Sequence, residues 1–103
     1  VTTDWIVAGR PGAFTPTHVM VHHTAGPDSS PAPSRSVVRT GRPDLSGPLC
    51  NVLVRRDNKA EIVSRGRANH AGAGVWSGIP RDQGNQYAVG IEIEHEGTDA
   101  EPW

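Results

Sequence analysis

The sequence predicts an α/β domain built on a mixed sheet of about four strands. Three observations carry this. An apolar run, Val19-Met20-Val21, ends in His22-His23 and then breaks at Thr24-Ala25-Gly26-Pro27. Two β-type stretches flank the turn residues Asp57-Asn58-Lys59. Residues 87–96 alternate strictly between two kinds of side chain.

Taken in order, residues 1–17 contain Pro11, Gly12 and Pro16 and read as an irregular leader, with a short turn of helix near Trp5. Residues 18–24 form a buried strand, and residues 25–34 a Pro/Ser loop at its end. Residues 34–40 form a short helix, with Ser34 as its N-cap and Gly41 as its stop. Residues 50–56 and 60–65 pair as a β-hairpin around the Asp57-Asn58-Lys59 turn. Residues 66–86 are Gly-rich and aperiodic, and read as a long functional loop. In the last strand Val89, Ile91, Ile93 and His95 face one way, while Gly90, Glu92, Glu94 and Glu96 face the other. No long amphipathic helix is predicted to cover the sheet. That absence points to a domain truncated after its fourth strand.

Composition narrows the function. The chain has 103 residues, enough for one domain, with 10 basic and 11 acidic side chains and no basic stripe. Nucleic acid is therefore not an expected partner. A single cysteine, Cys50, rules out an internal disulfide framework. No apolar stretch is long enough for a membrane span or a signal-peptide core. The chain reads as soluble, needing help from elsewhere to act outside the cytoplasm.

Four positions are candidates for chemistry. The His22-His23 pair at a strand end could hold a metal or move a proton, or could simply be polar residues leaving a core strand. Glu92, Glu94 and Glu96 read either as the solvated face of an edge strand or as a central strand with one working carboxylate. Glu92, the most closely flanked by apolar residues, is then the best candidate to serve as a general base or to orient a metal-bound water. His70, in Asn69-His70-Ala71-Gly72, is set among small residues that let a ligand or backbone approach. Cys50 reads as a small buried hydrophobe more readily than as a nucleophile.

These segments in this order, with the Cys50–Asp57 strand between the two histidine motifs, resemble the zinc-dependent N-acetylmuramoyl-L-alanine amidases of type 2. That family includes phage amidase lysozymes and animal peptidoglycan recognition proteins. The resemblance covers roughly residues 18–103 and is confined to the N-terminal part of the catalytic domain. It implies a mixed central sheet flanked by helices and a zinc in a groove. It further implies hydrolysis of the amide between N-acetylmuramic acid and L-alanine in peptidoglycan. By the same resemblance His22 is a zinc ligand, Glu92 activates the zinc-bound water, and His70, Asn69 and Cys50 lie in the substrate groove. The loops look most like endolysins of phages infecting actinobacteria such as mycobacteria. Such an enzyme would be made in the host cytoplasm and act on the wall after release.

The sequence departs from the family twice. Cys50 stands about where some relatives carry a catalytic tyrosine, which leaves water activation to Glu92. The other two zinc ligands of the family would fall beyond Trp103, so a further C-terminal segment is expected to supply them. Two alternatives stand beside this. One is a non-catalytic module that binds muropeptides. The other is a site rebuilt from His23, His70 or His95.

Overall fold

In the computed structural model, which describes residues 6–103, the β-type segments assemble into one mixed four-stranded sheet. The helical turn expected near Trp5 lies outside the described residues. The elements are β1 (His18–His23), α1 (Arg35–Thr40), β2 (Gly41–Arg42), β3 (Leu45–Ser46), β4 (Val52–Val54), β5 (Ala60–Ile62), α2 (Gly84–Tyr87) and β6 (Ala88–Ile93). The sheet order is β1-β6-β4-β5. β6 runs parallel to both β1 and β4, and β4 pairs antiparallel with β5.

The hairpin β4–β5 forms as expected, with Asn58 taking the left-handed turn position at φ 62°. An Asn side chain tolerates that conformation well. Its strands are shorter than predicted, at three residues each. The last strand is also shorter, ending at Ile93. Helix α1 forms over the predicted residues and stops at Gly41, whose φ is 96°. A Cβ there would lie 2.3 Å from the Gly47 backbone nitrogen, so only glycine fits. Ser34 occupies the cap position without a side-chain cap bond. Its backbone N–H donates instead to Glu94 Oε2 at 2.8 Å.

Two expectations are corrected. The first strand is not buried: β1 is an edge strand, with Val19 64% and Val21 60% exposed. Apolar content alone could not separate an edge from a centre. Nor do the glutamates line a solvated edge, because β6 is a central strand and Glu94 is only 3% exposed. Glu94 is tolerated there because Thr24 Oγ1 and the Ser34 N–H both donate to it, each at 2.8 Å.

One face of the sheet carries the core. Val38 of α1 packs with Cys50, Leu53 and Val63, and Val7, Ala32 and Leu49 pack around them. Arg35 of α1 and Arg55 both donate to the buried Glu61 carboxylate, at 3.0 and 2.6 Å, which ties the helix to β5. The leader is irregular but anchored: Val7 N–H donates to Val63 O and Thr17 N–H to Tyr87 O, each at 2.9 Å. No helix among the described residues is long and apolar enough to cross a membrane.

Candidate active site

Parallel pairing of β1 and β6 sets His22 directly beside Glu92, and β4 adds Leu53 on the far side of Glu92. Side chains opposite one another in a ladder share a face. The row His22–Glu92–Leu53 therefore lies on the face that α1 covers. His23 points to the other face, near His95 and Trp103, with ring centroids 6.5 and 6.0 Å away.

His70 comes from the long loop and lies against β6 at Gly90. A Cβ at Gly90 would fall 2.4 Å from His70 Cγ, so the absence of a side chain there makes room for the ring. The ring reaches His22, with His70 Nδ1 and His22 Nε2 3.1 Å apart, and its Nε2 meets Ala88 O at 3.1 Å. Burial depresses the pKa of His22. Burial depresses that of His70 as well, reinforced by the neighbouring His22 and opposed by the bond to Ala88 O.

Glu92 is half-buried and borders a cleft of about 500 Å³ between the end of β1 and α1, lined also by Thr24, Pro33, Val37, Val38 and Leu49. Its Oε2 is, among the described residues, the one buried side-chain oxygen or nitrogen with no hydrogen-bond partner. Burial first, and the charge of Glu94 second, push its pKa up to about 7. A carboxyl poised there can take or give a proton near neutrality.

The remaining expected site residues sit differently. Cys50 has no exposed surface, and burial together with the Glu92 charge pushes its thiol up to about 12. It is an inert member of the core, not a wall of the groove. Asn69 uses its amide on the protein itself: Nδ2 donates to Ser46 O at 2.8 Å and Oδ1 accepts from Asn85 Nδ2 at 3.4 Å. Nothing in the sequence singles out Asn85, yet its Oδ1 accepts the backbone N–H groups of His70 and Ala71 at 2.9 and 2.8 Å. Its only signal was a polar residue just before an alternating strand, which is too common to single out.

Among the described residues, no three His, Cys, Asp or Glu side chains come together as a metal-holding set. Zinc sites use three or four protein ligands. His22 alone, with its Nε2 engaged by His70, does not fit that requirement.

A central strand thus brings a carboxyl raised to about 7 to the edge of a cleft, in the row that holds His22, with His70 against His22, and such a carboxyl can exchange a proton with a bound group. The chain belongs to the type 2 N-acetylmuramoyl-L-alanine amidase family, whose family model matches residues 12–103. Members of that family hydrolyse peptidoglycan and are generally zinc-dependent. No curated protein and no solved structure gives a significant match.

Proposed function

We propose that this chain is the catalytic part of a phage endolysin that cleaves the amide between N-acetylmuramic acid and L-alanine. The observation that carries the reading is Glu92: a carboxyl raised to about 7, with an orphaned oxygen, on the row that holds His22. In its ionised form Glu92 takes a proton from water, and the water oxygen attacks the amide carbonyl. As the C–N bond breaks, the proton passes to the departing nitrogen of L-alanine. In this reading His22 is the residue that would hold zinc, although no group of three metal-holding side chains forms around it among the described residues. Loop composition supports the phage setting, with synthesis in the host cytoplasm and action on an actinobacterial wall.

Digestion of purified peptidoglycan tests the assignment, with bound zinc determined in the same samples. Release of stem peptides bearing a free L-alanine amino group, lost in both Glu92→Gln and His22→Ala, is the expected result. Cleavage at another bond, or full activity in either variant, would overturn it.

A second reading is a non-catalytic module that binds muropeptides. The lack of a three-ligand set among the described residues favours it. Saturable muropeptide binding without zinc and without turnover would select this reading over the first.

A further inference from the structure

A chain of hydrogen bonds that begins on the backbone decides which nitrogen of His22 is basic. The carbonyl of Ala88 can only accept, so the His70 Nε2 that faces it at 3.1 Å carries a proton. A neutral imidazole holds one ring proton, which makes His70 Nδ1 an acceptor. That nitrogen faces His22 Nε2 at 3.1 Å, so His22 must donate. The lone pair left on the neutral His22 ring is then on Nδ1.

The His70 ring is held firmly enough to impose this choice. Asn85 Oδ1 accepts from the N–H groups of His70 and Ala71, which fixes the loop on α2. The ring lies against Gly90, where any larger residue would collide with it. It meets His22 edge to face, with centroids 5.3 Å apart and planes at 66°.

We propose that His70 is a positioning residue that holds His22 in its Nε2–H tautomer and makes Nδ1 the basic atom offered at the end of β1. Asn85 and Gly90 position His70 in turn. This gives His70 a task other than the substrate contact that the resemblance implied. The inference stands on hydrogen bonds within the chain and does not depend on the amidase reading.

Nitrogen NMR of the metal-free chain, labelled with ¹⁵N-histidine and kept mildly alkaline, tests it directly. Expected are Nε2–H tautomers for both His22 and His70, and a scalar coupling across the hydrogen bond from His22 Nε2 to His70 Nδ1. In His70→Phe, which fills the ring's place without an acceptor, the His22 resonances should shift toward tautomer averages. In His70→Asn, whose Oδ1 can stand near the former Nδ1, they should return toward wild-type positions. A proton on His22 Nδ1 in the wild-type chain overturns the proposal. So do unchanged His22 resonances in a folded His70→Phe variant. The wild-type spectrum decides the matter alone should either variant fail to fold.

Discussion

At Glu92, burial serves the chemistry and works against the fold. The carboxyl is raised from its ordinary value of 4.5 to about 7, so the folded chain holds a proton that the unfolded chain releases earlier. The stability associated with this group is fully present below about 4.5, and it is lost as pH rises through about 7. Glu92→Gln keeps the neutral shape but cannot ionise. Thermal unfolding should therefore show the variant matching wild type in acid and melting higher than wild type above neutrality. Activity should run the opposite way. The rate of wall hydrolysis by the active enzyme should rise with pH through about 7 as Glu92 ionises. In Glu92→Gln it should fall by about 10²–10⁴-fold. A pH–rate profile compared with the melting curves checks both limbs on one residue.

Elements bring this residue to its place through small backbone contacts. Asn51 precedes β4 and is nearly fully buried. Its Nδ2 donates to Ser64 O and Gly66 O at 3.1 and 2.6 Å, and its Oδ1 accepts from Gly90 N–H at 2.8 Å. Asn51→Ala leaves all three backbone groups without that partner. The expected cost is at least about 2 kcal/mol in chemical denaturation. Gly90→Ala acts on the same strand from its surface, pressing a methyl group into His70. It should cost about 1–3 kcal/mol and remove the contact between the two imidazoles, as read from the histidine NMR spectrum. At the far end of β6, Arg56 donates to Glu101 at 2.6 and 3.0 Å and holds that carboxyl down to about 2. Stability from this pair is present above about 4.5 and is lost as pH falls toward about 2. Glu96 N–H, which donates to Glu101 Oε1 at 2.8 Å, reports on it. The protection of that amide against hydrogen exchange, measured relative to the intrinsic rate at each pH, should fall in acid, and should already be low at neutral pH in Glu101→Gln.

Across the whole molecule, the two faces of the sheet are unequal. α1 and its loops cover the face with Leu53 and Glu92. The other face presents Val19 and Val21, 64% and 60% exposed, alongside the half-buried Val52, Val54, Ile62, Ile91 and Ile93. A contiguous apolar surface of this kind binds hydrophobic dyes and favours self-association. Replacing Val19 and Val21 together by Thr should lower dye fluorescence and light scattering by the chain, with little change in its melting temperature. Both side chains are already mostly in water, so little burial is lost.

Much of this architecture was legible in the chain. Alternation marked β6, turn residues marked the β4–β5 hairpin, and Gly41 marked the end of α1, because each is a local signal read within a few residues. The family and the candidates His22 and Glu92 were legible in the order of the motifs. The minor hairpin β2–β3 and helix α2 were not, since elements of two and four residues leave no periodicity to read. By itself, then, the sequence determined which of the longer segments become strands and which side chains are candidates for chemistry. Only the tertiary structure decided that β6 lies between β1 and β4, and so that Glu92 is half-buried beside His22 while Cys50 is sealed in the core. It also decided that His70 rests on Gly90, 20 positions along the chain, where it can set the proton on His22. Burial and hydrogen-bond partners belong to pairings between distant segments, and local pattern carries no record of them.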